Sequence, residues 1–172
     1  MTLLAVSALL CAMTITTLGA ALEPHVFSKF SSCPCAWTQF QDRCFIYVPK
    51  AMTWAEAQVM IRSNCQSMRA NLASVRSFAE YTAIQSLTAI DRYRNTWIGA
   101  SDAQQDRFWF WSDGTPFTYT NWCPYQPDHR HTGTYGPNGP YCIQMNFGVG
   151  KCWDDGECKA VFPSICAKKV LG

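Results

Sequence analysis

Two short segments switch to apolar residues at helical spacing, and each opens on a hydroxyl residue followed three positions later by glutamate. Thr53-Trp54-Ala55-Glu56 begins a helix predicted to run to about Asn64, with Trp54, Ala57, Met60 and Ile61 on one buried stripe. Ser77-Phe78-Ala79-Glu80 begins a second, predicted to run to about Ala89. In such a capping box the hydroxyl accepts from the amide three residues on, and the glutamate reaches back to the cap residue's own amide. Strand patterns are shorter. Phe45-Ile46-Tyr47-Val48 is one, broken by Pro49, and Asn71 to Val75, Thr96 to Gly99 and Phe108 to Trp111 are others. After the turn Ser112-Asp113-Gly114, residues 112–141 show little regular pattern and many glycines, prolines and asparagines. Strand character resumes at Tyr141 to Asn146 and Lys151 to Trp153, and Ser164 to Ala167 reads as a final strand returning near the start. Two helices, short strands and one long loop predict an α+β fold, and a loop of that length in a compact domain is usually functional.

The amino-terminal pattern is of another kind. Residues 1–21 (MTLLAVSALLCAMTITTLGAA) carry no charged side chain and end in small residues, as a secretory signal peptide cleaved after Ala20 or Ala21 would. The apolar run falls short of the ~20 residues of a membrane span. Residues 22–32 read as a short lead-in. An exported protein fits the cysteine usage: of ten cysteines Cys11 lies in the signal, leaving nine, at 33, 35, 44, 65, 123, 142, 152, 158 and 166. That density predicts a disulfide framework, and the odd number leaves one thiol over. The spacings lack the paired C-x2-C arrangement of a structural zinc site. A net charge of +2 with 15% charged residues is no footprint for nucleic acid.

One run concentrates the chemistry. Cys152-Trp153-Asp154-Asp155-Gly156-Glu157-Cys158 places two carboxylates between cysteines, downstream of Gln126-Pro127-Asp128. Carboxylate and amide oxygens suit a hard cation such as calcium. The alternative is that Asp154 and Asp155 form a polar turn held by the flanking cysteines. No nucleophile elbow, P-loop, His-Glu-x-x-His or dinucleotide fingerprint is present. Adjacent aspartates in one turn do not supply the two carboxylates, about 5–9 Å apart across a substrate, of a glycosidase. The predicted chemistry is binding, not catalysis.

Trp97-Ile98-Gly99, Trp122-Cys123, Gln126-Pro127-Asp128 and Cys152-Trp153-Asp154-Asp155 through Cys158 to Cys166 together resemble a C-type lectin domain, over residues 33–169. Cys142-Ile143-Gln144-Met145-Asn146 and the pair Cys123 and Cys152 resemble the small secreted fish group of ladderlectin-type lectins and type II antifreeze proteins. The resemblance implies disulfides Cys33–Cys44, Cys65–Cys166, Cys123–Cys152 and Cys142–Cys158. It leaves Cys35 for an intermolecular bridge in a disulfide-linked homo-oligomer, or as a free thiol or an alternative partner of Cys44. Antifreeze members usually carry a further bridge, whose two ends read Ala103 and Tyr141 here.

The resemblance further implies a calcium site built from Gln126, Asp128, Asp154 and Asp155. Two vicinal sugar hydroxyls complete the coordination, and a cis Pro127 aims its neighbours at the ion. The Gln-Pro-Asp order is that of galactose-type recognition. Two positions depart from the pattern. Asp154 stands where asparagine is usual, and Pro140 stands where a glutamate is usual. About five protein contacts remain of the ~6–8 oxygens that calcium takes, which implies weak binding, ~0.1–1 mM. Tyr135 is the ring chosen to stack on the sugar, with Tyr125 second. His129-x-His131 could present two imidazoles to a transition metal, with no third ligand evident in the sequence. The implied function is a secreted, calcium-dependent, galactose-type lectin acting in glycan or pathogen recognition. The alternatives are an ice-binding antifreeze protein, using Thr132-Gly133-Thr134 beside the ion site, and a degenerate domain that binds a protein.

Overall fold

The computed structural model describes residues 32–59, 65, 68–130 and 139–170. In chain order these form β1 (Thr38–Phe40), β2 (Arg43–Met52), α1 (Trp54–Val59), β3 (Asn71–Leu72), α2 (Phe78–Leu87) with a 3-10 turn at Thr88–Asp91, β4 (Thr96–Ser101), β5 (Phe110–Trp111), β6 (Tyr141–Phe147), β7 (Cys152–Glu157) and β8 (Phe162–Lys169).

Both helices begin where the hydroxyl–glutamate pairs lie. At α1 the box is reciprocal: Thr53 N donates to Glu56 Oε2 at 3.0 Å and Glu56 N to Thr53 Oγ1 at 3.3 Å. The continuation to Asn64 and the stripe positions Met60 and Ile61 lie outside the described residues. At α2 only half the box forms. Glu80 N donates to Ser77 Oγ at 3.1 Å, but the Glu80 carboxylate passes over Ser77 to accept from Arg76 N at 2.6 Å and from Arg43 Nη1 at 2.9 Å. A buried guanidinium is a stronger partner for a carboxylate than a cap amide, and it redirects the side chain.

The last strand does return to the start. β8 runs between β2 and β4 in a sheet ordered β1-β2-β8-β4-β6-β7, with β3 on β8 and β5 on β4. β4 and β8 run parallel, paired at Trp97 and Ser164, which makes the sheet mixed. The other pairs of named strands are antiparallel, as in the expected α+β fold with short antiparallel strands. Gly99 in β4 is required there. A Cβ at that position would sit 2.4 Å from the Leu72 carbonyl oxygen of β3, a backbone atom with little room to yield.

The core gathers around Trp153, which is fully buried. The rings of Tyr81, Trp111, Phe117, Tyr119 and Trp122 surround it at centroid distances of 5.7–6.4 Å. Offset and edge-on arrangements of this kind add to the area they bury. Trp153 therefore anchors β7 against the irregular 112–122 segment that leads into Gln126-Pro127-Asp128.

Among the described residues four disulfides join Cys33 to Cys44, Cys65 to Cys166, Cys123 to Cys152 and Cys142 to Cys158. The last two frame the region of interest, one tying the 123 segment to the start of β7 and the other tying β6 to the end of β7. Cys35 is exposed. Among the described residues no helix is long and apolar enough to cross a membrane.

Candidate cation and sugar site

The two aspartates do not form a polar turn. They lie inside β7, buried and paired with β6, Asp154 opposite Gln144 and Asp155 opposite Ile143. Because side chains alternate along a strand, the two carboxylates point to opposite faces. Asp155, with no exposed surface, faces the cis Gln126–Pro127 turn. Its Oδ1 accepts from Asp128 N at 3.0 Å and its Oδ2 from His129 N at 2.8 Å. Gln126 Oε1 shares the Asp128 N–H at 3.0 Å, and Asp128 Oδ1 accepts from Arg130 N at 2.9 Å. The turn is docked by backbone bonds as well, Cys123 N to Trp153 O at 2.9 Å and Gln126 N to Cys123 O at 3.0 Å. Gln126 and Asp155 thus meet at the Asp128 amide, while the Asp128 carboxylate is held by the Arg130 amide.

Asp154 is held elsewhere. Its Oδ2 accepts from Gln144 Nε2 at 2.6 Å, and Gln144 Oε1 accepts in turn from Asn95 Nδ2 at 2.8 Å. The period of two would have separated the aspartates from sequence alone, had the strand been read past Trp153. Tyr125, next to Gln126, is 96% exposed and carries its backbone in the left-handed region at φ 69°. Tyr135, His131 and Thr132-Gly133-Thr134 lie outside the described residues. Pro140 is exposed and lines a cleft of about 230 Å3 together with Asp102, Ala103, Asp106 and Gly139.

Two residues near the turn carry no sequence signal of their own. Asp102, buried at the end of β4, accepts from Tyr141 N at 2.7 Å and lies 3.4 Å from His129 Nε2; Asp106 stands beside it in the following turn. They are 23 or more residues from His129 in sequence, and no spacing rule joins them.

The electrostatics of the region are those of crowded acid. Burial pushes the Asp155 carboxyl above its ordinary value, and the N–H bonds from His129 and Asp128 only partly oppose it. The Tyr141 hydroxyl is raised too, first by burial and then by the charges of Asp155 and Asp102. A buried carboxylate that resists ionisation is one that a cation would stabilise. The oxygen donors that converge on the turn are the hard ligands calcium accepts, so Gln126, Asp128 and Asp155 fit such an ion.

The Lectin C-type domain family matches residues 50–168 of this sequence. The chain belongs to the C-type lectin domain family. It is similar to a type-2 ice-structuring protein of Osmerus mordax, 37% identical over 93% of this chain and 89% of that protein. It is also similar to ladderlectin of Oncorhynchus mykiss, 40% identical over 81% of this chain and 69% of that protein. Among solved structures, a Ca2+-dependent type II antifreeze protein in its Ca2+-free form superposes with a TM-score of 0.68 at 42% identity, over 80% of this chain and all of the other. The α+β fold and the fish lectin and antifreeze group expected from the sequence are the ones found. The known relatives are binding proteins in kind.

Proposed function

We propose that the chain is a secreted, calcium-dependent lectin with galactose-type preference, a binding protein of glycan recognition with no catalytic step. In this reading residues 1–21 are removed on export and residues 33–169 are the working domain. The observation that carries it is the fully buried Asp155 carboxylate set against the cis Gln126–Pro127–Asp128 turn. Gln126, Asp128 and Asp155 would hold the ion, and Asp154 joins them if it exchanges its bond to Gln144 for the ion. A bound calcium supplies coordination positions for two vicinal sugar hydroxyls. The protein's share is orientation: Asp155 holds the Asp128 and His129 amides, fixing the turn so that the Gln126 and Asp128 side chains present oxygens together. Tyr125 offers an exposed ring beside them, and Tyr135 remains the proposed stacking partner from the adjoining loop. Two hydroxyls give millimolar affinity, about 4 kcal/mol.

The test is calorimetric titration of calcium into the disulfide-intact protein, with and without galactose. Saturable uptake near 0.1–1 mM that tightens with the sugar is the expected result. No uptake at millimolar calcium would mean that Pro140 has broken the site and would overturn the reading. Ice binding is the second reading, favoured by the likeness to the ice-structuring protein of Osmerus mordax and to the Ca2+-dependent antifreeze protein. Thermal hysteresis measured on the same samples separates the two.

A further inference from the structure

Two loops meet at one end of the sheet and present apolar side chains to solvent. One is the chain that leaves α2, residues 88–94; the other is the β6–β7 hairpin, residues 147–151. Their roots are bound together. Asn146 Nδ2 donates to Thr88 Oγ1 at 2.9 Å and to the Arg94 carbonyl at 3.1 Å. Lys151 Nζ donates to the Tyr93 carbonyl at 3.2 Å, and Gln85 Nε2 donates to the Lys151 carbonyl at 3.1 Å. Beyond that joint Ile90 is 86% exposed and Val149 is fully exposed. One exposed aliphatic side chain is ordinary; two on adjoining loops with cations among them are not. The same two segments carry Arg92, Arg94 and Lys151 against a single carboxylate, Asp91. That carboxylate is already engaged, accepting from the Tyr47 hydroxyl at 2.7 Å and from Arg94 Nη1 at 3.3 Å. We propose that these loops form a docking surface for a bilayer that carries anionic phospholipid. Ile90 and Val149 enter between the headgroups, and Arg92, Arg94 and Lys151 meet the phosphates.

The backbone holds these side chains out. Arg92 and Tyr93 are consecutive left-handed residues, each at φ 53°, and the hairpin turns through Gly148 at φ 59° and Lys151 at φ 52°. Residues with a Cβ seldom adopt this region, and two in succession are rarer still. The reversal is fixed by Arg92 N donating to the Ala89 carbonyl at 3.0 Å and Tyr93 N to the Thr88 carbonyl at 3.1 Å. Ile90 is also one wall of an apolar groove of about 500 Å3, lined by Phe45, Tyr47, Pro49 and Leu87, which continues the apolar surface behind the loop. The mixture of groups decides the occupant. Aliphatic side chains gain by leaving water at the acyl boundary, while Lys and Arg keep their charge at the level of the headgroups. A protein partner covers about 800 Å2 on each side and favours aromatic anchors over lysine, which two projecting loop tips do not offer. The contact is superficial, and it uses none of the Gln126, Asp128 and Asp155 oxygens.

Vesicle flotation tests the surface. The secreted, disulfide-intact protein is mixed with vesicles of phosphatidylcholine, with or without phosphatidylglycerol, and calcium is chelated throughout. The expected result is binding to the anionic vesicles alone, with release as salt is raised from about 0.1 M to 1 M and the screening length falls from ~10 Å to ~3 Å. Arg92→Gln should weaken binding about fivefold, the worth of one cation at an anionic surface. Ile90→Ser and Val149→Ser, both at exposed positions, should each weaken it severalfold without disturbing the fold. Asp128→Ala should bind vesicles as before, which keeps failure of this surface distinct from failure of the calcium reading. No binding, equal binding to phosphatidylcholine alone, or indifference to all three loop variants would overturn the proposal. So would full competition by inorganic phosphate, since the site would then hold a free anion, or loss with Arg92→Gln and no effect of either serine variant, since the aliphatic tips would then play no part.

Discussion

Two buried clusters of charge show what separates a structural ion network from a ligand site. In the first, Arg43 donates to the Ser74 carbonyl at 2.9 Å, the Ser74 hydroxyl at 3.0 Å and Glu80 at 2.9 Å, and it lies 3.7 Å from Asp113. In the second, Asp155 and Asp102 meet main-chain amides and the His129 ring. Burial pushes the carboxyls of Asp113 and Asp155 in the same direction, upward. For Asp113 the bonds from Ser74 and Thr115 and the Arg43 charge outweigh burial, and its value falls; for Asp155 they do not, and its value rises. The knot at Arg43 carries its own cation. The cluster at the turn has neutral donors and an imidazole, so its affinity for a cation is still to be used.

The largest effect should come from breaking the knot. Arg43→Met leaves the buried Glu80 and the partly buried Asp113 without their cation, and about 3–5 kcal/mol of stability should be lost. Chemical denaturation reads this out, and calcium uptake by the molecules that remain folded should be unchanged. Asp128→Ala is the mirror case. Its exposed side chain accepts one local N–H, so stability should change by no more than about 1 kcal/mol while calcium and sugar uptake vanish. If both variants damaged both properties, the two clusters would not be separable and the comparison would fail.

Next in size is a gain of function. Pro140 occupies the position where a glutamate is usual, and its exposed place at the cleft leaves room for a carboxylate. Pro140→Glu should tighten calcium about tenfold, equivalent to 1.4 kcal/mol. Calorimetry that gave equal affinities would show that the ion does not sit within reach of residue 140.

A smaller effect appears in acid. The Asp113 carboxyl is lower in the folded chain than its ordinary 3.8, so as pH falls the unfolded chain takes up the proton first. Its stabilising contribution is complete above about pH 3.8 and is lost as pH falls through the folded value. Asp113→Asn should therefore flatten the acid limb of the stability curve below pH 4, followed by thermal denaturation against pH. A limb of unchanged slope would assign the acid sensitivity to other carboxylates.

Much of this was legible in the chain because much of it is local. The caps at Thr53 and Ser77, the strands around Ile46, Ile98 and Ile143, and the Gln-Pro-Asp turn are each set by neighbours within a few residues. What escaped depends on partners far apart in sequence. Glu80 abandons Ser77 for Arg43, 37 residues away, because desolvated opposite charges outrank a cap amide. β7 runs on through two aspartates, residues that propensity places in turns, because β6 offers a ladder, Gln144 takes one carboxylate and the turn amides take the other. Asp102 and His129 meet only when β4 and the turn are brought together by the Cys123–Cys152 and Cys142–Cys158 bridges and the Trp153 core.

The least effect, and the sharpest question about the site, concerns Asp154. If the pleat keeps it on Gln144, then Asp154→Asn substitutes one hydrogen-bond acceptor for another, since the asparagine oxygen can still take the Gln144 N–H. Calcium affinity should then change by less than about twofold, a few tenths of a kcal/mol. A tenfold or larger loss would mean that Asp154 leaves Gln144 when calcium binds, so that the ion draws a carboxylate through the strand from the far face. Gln144→Leu distinguishes these cases further. Releasing Asp154 from its partner should tighten calcium only if that carboxylate is a ligand in waiting, and should merely cost stability if Asp154 belongs to the core of β6 and β7.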